Sequence, residues 1–286
     1  MKSIIFSFLL AISPLAIIPN ELTVTDQGKI VTTVTRDHYA VPFLDGPFIG
    51  KERLNLMFDT IEQKISKSPV NAKLDDQGEI IKEEPGFTLD RQKFNVQFRK
   101  FFYHGEPTKI EVPKKPVYPR IDSELLADIR EKKIGSYVTH FKPGNKERSH
   151  NIELASDAIN NYVLFPGETF SFNKVVGKRT KEKGYMRAPV IVKGELAEDI
   201  GGGICQVSST LYNAVNLVGI KIVERYSHSR SVPYVPPGRD ATVSWYGPDF
   251  VFKNDYNQPI LIRAKARNGK MMINIYSSET VEYKSS

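Results

Sequence analysis

Residues 199–211 have the sequence DIGGGICQVSSTL, in which three glycines and Ile204 precede Cys205, the single cysteine of the chain. The apolar residues that follow recur at helical spacing, which predicts that Cys205 lies at or just before a helix N-terminus. Free N–H groups and the positive end of a helix favour the thiolate, the nucleophilic form of cysteine. The N–H groups of Gly202 and Gly203 are the predicted oxyanion hole. The alternative is a small buried cysteine that closes the glycine turn.

A cysteine nucleophile needs a general base, and His228 is the nearest histidine downstream of Cys205. Asp240 begins the next predicted strand, where its carboxylate would orient the imidazole if the two strands pair. We therefore predict a catalytic set of Cys205, His228 and Asp240. Two alternatives stay open: His228 is a hydrogen-bonded structural histidine, and Asp240 forms a salt bridge with Arg239 or Arg225 or caps a turn.

Five further polar residues are candidates for substrate contacts: Gln206, Ser208, Ser209, Arg230 and Glu168. Gln206 and the two serines fall in the first turn of the predicted helix, where side chains bind substrate or cap free N–H groups. For the serines we expect capping. Arg230 is able to bind a substrate carboxylate bidentately, with a solvated arginine as the alternative. Glu168 is a second polar site residue or holds its loop by hydrogen bonds.

Composition and charge are those of a soluble globular protein with two folded units. The chain has 286 residues, of which 40% are hydrophobic and 26% charged, and its formal net charge is +7. The positive charge favours acidic partners, here anionic wall polymers or a membrane surface. Nucleic acid is not an expected partner because no nucleic-acid-binding module signature is present. A single cysteine excludes an intramolecular disulfide.

The N-terminal segment predicts export. Lys2 is followed by an apolar run from Ile4 to Ile18, the charge-then-apolar order of a secretory signal. The run is short for a membrane span of about 20 residues. We therefore assign residues 1–20 to a signal peptide or an N-terminal membrane anchor, and place the rest of the chain outside the cell or at the cell wall. The alternative is a buried N-terminal element of a cytosolic protein.

Residues 21–125 predict a small α+β domain. Ile30 to Thr35 favour a strand, Lys51 to Ser66 an amphipathic helix, and Arg91 to Phe102 a second helix. A hairpin is expected around Asp75-Asp76-Gln77-Gly78, and a closing strand at residues 109–112. The three prolines at positions 113, 116 and 119 predict a stiff linker that leaves the domain.

Residues 130–286 predict a second domain rich in strands. A helix is expected over Asn151 to Leu164, with Tyr162 and Val163 on its inward face. Strands are expected at residues 220–223, 241–246, 250–252, 260–266 and 271–276, and Asn268-Gly269 predicts a hairpin turn between the last two.

Six motifs in this second domain, in order, resemble the VanW family: FPGETFSFN, GY, GGGICQVSSTLYNA, ERYSHS, VPYVPPGRDATV and DFVFKN. Residues 45–125 also resemble, through fewer features, the peptidoglycan-binding domain that often precedes VanW domains. The resemblance implies an α+β fold in which the cysteine-bearing helix packs on an antiparallel sheet or partial barrel. It further implies a bacterial envelope protein of a family associated with vancomycin-resistance gene clusters and linked to L,D-transpeptidase activity through a cysteine.

Carried to this sequence, the resemblance predicts a cysteine acyltransferase that forms a thioester at Cys205 on peptidoglycan stem peptides. The alternatives are a non-catalytic envelope-binding protein with a structural Cys205, and an L,D-carboxypeptidase on the same peptides. No cofactor is expected, because the Lys-Ser/Thr of a phosphate-binding loop does not follow the glycines. No metal site is expected, because Cys205, His228 and Asp240 are at best three dispersed ligands.

Overall fold

The computed structural model describes residues 18–42, 48–192 and 195–282. The segment predicted as signal peptide or membrane anchor lies, up to residue 17, outside the described residues. Within the described part of the chain, no helix combines the length and the apolar character needed to cross a membrane.

The described residues form seven α-helices, and a short 3₁₀ helix at Lys181–Lys183 lies between the sixth and the seventh. In chain order the α-helices are α1 (Arg36–Tyr39), α2 (Lys51–Ile65), α3 (Arg91–His104), α4 (Ser123–Ile129), α5 (Lys146–Ile159), α6 (Phe172–Val176) and α7 (Ile204–Asn216).

The strands of the described residues form several small sheets and no closed barrel, so the fold is mixed α+β, as predicted. In chain order they are β1 (Glu21–Asp26), β2 (Lys29–Thr35), β3 (Lys73–Leu74), β4 (Ile80–Ile81), β5 (Gly86–Leu89), β6 (Lys109–Glu111), β7 (Lys114–Val117), β8 (Lys132–His140), β9 (Tyr162–Leu164), β10 (Thr169–Ser171), β11 (Arg187–Val192), β12 (Glu195–Ile200), β13 (Lys221–Glu224), β14 (Val251–Lys253), β15 (Ile260–Arg267) and β16 (Lys270–Ser277).

The contacts within the chain divide it into two compact units. The first runs to Val70 and resumes at Glu84–Pro119, and the second comprises Asn71–Glu83 and the chain from Arg120 onward. In the first unit, β1 pairs with β2 and β6, and α2 and α3 supply the core. Helix α3 contributes four aromatic side chains to that core, each at most 1% exposed: Phe94, Phe98, Phe101 and Phe102.

Two segments of the N-terminal region differ from the expectation. The prolines expected in a linker flank or lie within β7, which pairs antiparallel with β5, with Pro116 opposite Phe87. Proline is tolerated there because β7 is the edge of a two-stranded sheet. Residues 71–83, expected in the first domain, belong to the second unit, since Leu74 is buried against Leu126 and Leu261.

The second unit is built on a four-stranded antiparallel sheet in the order β8-β16-β15-β9. Helix α7 packs on β8 and β16, and α5 packs on β15 and against α7. A second sheet, β10-β14-β13, and the β11-β12 hairpin lie in the same unit. The cysteine-bearing helix therefore packs on an antiparallel sheet, as predicted. The residues of its apolar face that belong to the main core are Val207, Leu211, Ala214 and Val215.

Two elements of this unit correct the sequence prediction. The helix expected over residues 151–164 is α5, which begins at Lys146 and ends at Ile159. Tyr162 and Val163 lie instead in β9, because their backbone pairs with Ile262 and Leu261 of β15. Residues 241–246, expected as a strand, lie outside any sheet, and the last two of them, Trp245 and Tyr246, form a turn.

Candidate functional site

The glycine turn before Cys205 is shaped by close packing against the protein itself. Gly201 and Gly203 have φ values of +88° and +108°, a region that side-chain-bearing residues rarely adopt. A Cβ on Gly202 would lie 2.5 Å from the carbonyl oxygen of Ala188 in β11. The turn therefore needs glycine, and it sets Cys205 as the second residue of α7.

The Cys205 thiol lies among polar groups of a neighbouring extended segment. Its Sγ donates to the carbonyl oxygen of Val243 at 3.5 Å and lies 3.8 Å from Oγ1 of Thr242. It is also hydrogen-bonded to the side chain of His228. Cys205 is partly buried: it packs against the main core and also lines the cleft described below.

His228 is fixed in turn by Asp240. Oδ2 of Asp240 lies 2.6 Å from Nδ1 of His228 and accepts a second hydrogen bond from the His228 backbone N–H, also at 2.6 Å. The side chains are 7% and 9% exposed, so the pair is shielded from solvent. Neither residue lies in a sheet; a backbone hydrogen bond from Thr242 to Tyr226 joins their two segments. The structure thus brings together the three predicted catalytic residues.

Burial disfavours the charged form of each of these three groups, but the hydrogen bonds between the groups favour the charged forms more strongly. Burial raises the pKa of the Cys205 thiol, but the hydrogen bond and charge of His228 lower it more, so the net pKa is lowered. Burial lowers the pKa of His228, while Cys205 and Asp240 raise it above its ordinary range. The pKa of Asp240 is lowered, because its bonds to His228 outweigh its burial. These shifts favour a thiolate–imidazolium pair.

The two serines of α7 bind the segment that follows Asp240, and do not cap the helix N-terminus. Ser208 Oγ donates to the carbonyl oxygen of Ala241 at 2.6 Å. Ser209 Oγ accepts from the Ala241 N–H at 2.9 Å and donates to the carbonyl oxygen of Cys205 at 2.7 Å. Both serines are fully buried. Because Ala241 follows Asp240 directly, these contacts fix the position of Asp240 relative to helix α7.

Of the remaining predicted site residues, Gln206 and Gly203 line the cleft described below and the others do not. Gln206 is buried and donates to the His140 carbonyl oxygen at 3.0 Å. Gly203 lines the cleft described below, but Gly202 is buried. Arg230 is exposed and does not line that cleft.

Glu168 is also outside the cleft. It pairs with Arg120 at 2.6 Å and accepts from the Phe165 backbone N–H at 3.0 Å, so it holds its own loop.

Cys205 and His228 open into a cleft of about 920 Å³. Aromatic residues form part of its wall: Tyr234, Trp245 and Tyr246. A cleft of this size accommodates a short peptide, and its mixed lining resembles that of small-molecule sites. Among the described residues, no group of three or more His, Cys, Asp or Glu side chains is arranged to hold a metal ion.

Comparison with known proteins identifies the domain that contains this cleft. A family model described as VanW like protein matches residues 147–276. The uncharacterized protein YoaR of Bacillus subtilis (strain 168) is 55% identical over 262 residues, which cover 92% of this chain and 86% of YoaR. The chain belongs to the VanW-like family.

A second relative matches the VanW-like domain over a shorter stretch. The vancomycin B-type resistance protein VanW of Enterococcus faecalis (strain ATCC 700802 / V583) is 32% identical over 110 residues, 37% of this chain and 40% of that protein. No solved structure matches the chain. The peptidoglycan-binding role of residues 21–125 stays a prediction.

Three residues of the VanW-like cleft were missed by sequence reasoning. Arg148 and Arg179 line it beside Cys205, and the half-buried Tyr234 is hydrogen-bonded to Ser209. Burial raises the pKa of Tyr234, so its hydroxyl stays neutral. The sequence signal for Tyr234 is its place in the motif VPYVPPGRDATV, whereas neither arginine adjoins a motif residue with an assigned role.

Proposed function

We propose that this protein is an exported cysteine acyltransferase of L,D-transpeptidase type, which acts on peptidoglycan stem peptides through a thioester at Cys205. The observation that supports it most is the hydrogen-bonded series from Cys205 through His228 to Asp240 beside an open cleft. A thiol with a lowered pKa, a base in contact with it and a carboxylate that orients the base are the parts that cysteine acyl transfer needs.

In the first half-reaction, the Cys205 thiolate attacks the carbonyl carbon of the stem-peptide residue that precedes the terminal D-alanine. A C–S bond forms and the carbonyl π electrons move to oxygen, where the N-terminus of α7 stabilises the negative charge. The intermediate collapses, the C–N bond breaks, and the imidazolium of His228 gives its proton to the departing amine. The products are a thioester and free D-alanine.

In the second half-reaction, the amine of a neighbouring stem peptide attacks the thioester carbonyl and loses a proton to the neutral His228. The C–S bond breaks, the thiolate returns, and the new amide bond is the cross-link. Asp240 holds Nδ1 of the ring throughout, so that Nε2 faces the sulfur and the reacting groups. Water in place of the amine would give a carboxypeptidase.

The proposal of an envelope location rests on three observations outside the cleft. The N-terminal residues have the order of a secretory signal, with Lys2 before an apolar run. The name of the Enterococcus faecalis relative, a vancomycin B-type resistance protein, supports an envelope substrate. The net charge of +7 suits the polyanionic surroundings of a cell wall.

The test compares the wild-type protein with Cys205→Ala on isolated muropeptides, with products identified by mass spectrometry. We expect cross-linked dimers and free D-alanine from the wild type and none from the variant. Thermal unfolding and peptidoglycan pull-down of both proteins control for folding and wall binding. Trimmed, uncrosslinked peptides would assign a carboxypeptidase, and equal product from both proteins would exclude the cysteine mechanism. Two inert proteins that bind the wall equally would leave a non-catalytic envelope protein.

A further inference from the structure

Two arginine side chains lie against the glycine turn that leads into Cys205. A Cβ on Gly203 would lie 2.9 Å from Cγ of Arg148, and a Cβ on Gly201 would lie 3.2 Å from Cγ of Arg179. Both arginines line the same cleft as Cys205. The stems of both side chains therefore pack against the turn, and both guanidinium groups interact electrostatically with Cys205.

Neither guanidinium is neutralised by the protein. Arg148 donates to the amide oxygen of Gln206 at 2.7 Å, and Arg179 to the amide oxygen of Asn173 at 2.8 Å. Across the described part of the chain, neither forms an ion pair with a carboxylate. Among charged groups, Cys205 acts most strongly on Arg179 through space; the Asp249 carboxylate acts more weakly and accepts from the Asn173 backbone N–H at 2.9 Å.

Arg179 also has a donor that nothing satisfies. Its Nη1 is shielded from solvent and has no hydrogen-bond partner among the described residues. A buried donor of a charged group is costly to leave unpaired, and partly buried arginines are usually paired with a carboxylate or phosphate. The guanidinium fork matches a carboxylate in a bidentate geometry. A carboxylate bound in the cleft would neutralise the guanidinium charge.

The net charge of the cleft lining also favours an anionic ligand. Its described lining includes four lysine and arginine side chains, the two arginines together with Lys142 and Lys178, against one carboxylate, Asp199. The Cys205 thiolate, the His228 imidazolium and the Asp240 carboxylate together add one negative charge, so the cleft keeps an excess of positive charge. This positive potential attracts and orients an anionic substrate, whereas it gives no such attraction to an uncharged one.

We propose that Arg148 and Arg179 form a carboxylate subsite that binds a carboxylate group of the donor peptide beside the scissile bond. This inference rests on the proposed function, since it names the part of the donor that the cleft recognises. Two carboxylates of a stem peptide have the required chemistry: the terminal carboxylate of the residue that leaves, and the side-chain carboxylate of the diaminopimelate-type residue that is attacked. Either one would make the cleft select anionic donors.

The test separates binding from chemistry by use of the full chain with Cys205→Ala. Trp245, the single tryptophan, lines the cleft, so its fluorescence reports peptide binding. Three tetrapeptides are titrated: one with both carboxylates free, one with a C-terminal amide, and one with a side-chain amide. We expect amidation of the recognised carboxylate to weaken binding roughly ten- to hundred-fold, the range for loss of a charged hydrogen bond.

Arginine variants then assign the preference to the subsite. Arg179→Gln and Arg148→Gln, each combined with Cys205→Ala, are expected to bind acid and amide peptides alike. Lys142→Gln is the matched control, because it removes an exposed cation of the same cleft and should leave the preference intact. Arg179→Lys should restore part of the preference, which a purely structural role of Arg179 would not produce.

The outcomes distinguish the subsite from the proposed function. Equal affinity for all three peptides, or no binding of any, would overturn the subsite, and the peptide comparison needs no arginine variant to show this. A carboxylate preference in Cys205→Ala, combined with no acyl transfer by the wild type, would refute the catalytic proposal and leave the subsite standing. Equal turnover of acid and amide donors by the wild type would refute the subsite and leave the catalytic proposal standing.

Discussion

Replacing Asp240 by Asn is expected to slow the alkylation of Cys205 near neutral pH without destroying the fold. The carboxylate accepts the Nδ1–H and backbone N–H bonds of His228, and the amide oxygen of Asn is able to accept them as well. The substitution removes the negative charge that stabilises the imidazolium. Less imidazolium means less thiolate, because the pKa of Cys205 is lowered mainly through His228.

The size of the effect follows from the one contact that changes with protonation. The backbone N–H bond to Asp240 is present whether the ring is neutral or charged, so it cancels. The Nδ1–H bond to a carboxylate is worth about 1.5–3 kcal/mol, and the bond to a neutral amide oxygen that replaces it about 0.5–1.5 kcal/mol, so about 1–1.5 kcal/mol is lost. Since about 1.4 kcal/mol is a factor of ten, the thiolate population and the alkylation rate should fall roughly five- to tenfold.

The assay measures the rate of iodoacetamide alkylation against pH. The wild type should react well below the ordinary thiol pKa of about 8.5, because its thiol pKa is lowered. The Asp240→Asn profile should shift to higher pH and meet that of the wild type in alkaline solution, where the thiol ionises unaided. Acyl transfer should fall again above the raised imidazole pKa, since the neutral ring is no general acid.

The control for this variant is Asp249→Asn. Asp249 accepts hydrogen bonds from Ser171 and Asn173 in the same unit and does not contact His228. It should lose stability and keep the wild-type alkylation profile. An Asp240→Asn protein that is folded and reacts with the wild-type pH profile would refute the coupling of the three residues.

Two further predictions concern the glycine turn. Gly203→Ala should lower the free energy of unfolding by about 1–3 kcal/mol, because φ is +108° and the new Cβ would lie 2.9 Å from Arg148 Cγ. An unchanged midpoint of urea denaturation would contradict this prediction. Asn151→Ala should cost about 2–4 kcal/mol in urea denaturation, since buried Asn151 loses two bonds to the Met186 backbone and one to the Gly202 carbonyl oxygen. A loss below about 1 kcal/mol would mean that these backbone groups find other partners.

Sequence patterns predicted correctly the elements whose conformation is set by residues close to one another in the sequence. The apolar spacing after Cys205 predicted α7, and Asn268-Gly269 predicted the β15-β16 turn, where both residues have positive φ values of 52° and 76°. Cys205 and His228 were found because a thiol after three glycines and a downstream histidine are visible in the sequence itself.

Tertiary contacts decided what the sequence did not predict. Tyr162 and Val163 have helical spacing relative to α5, but pairing with β15 draws them into a strand. His228 and Asp240 meet without the strand pairing that was expected to join them. Arg148 and Arg179 come from separate segments, and only the packing of the glycine turn places both beside Cys205.

The most direct test of the catalytic account is the intact mass of the wild-type protein mixed with a stem tetrapeptide and no acceptor amine. The account predicts an adduct equal to the tetrapeptide minus D-alanine, located on Cys205 and released by hydroxylamine, as a thioester would be. A protein whose mass stays unchanged while its thiol is readily alkylated, with peptide bound in the cleft, would contradict it.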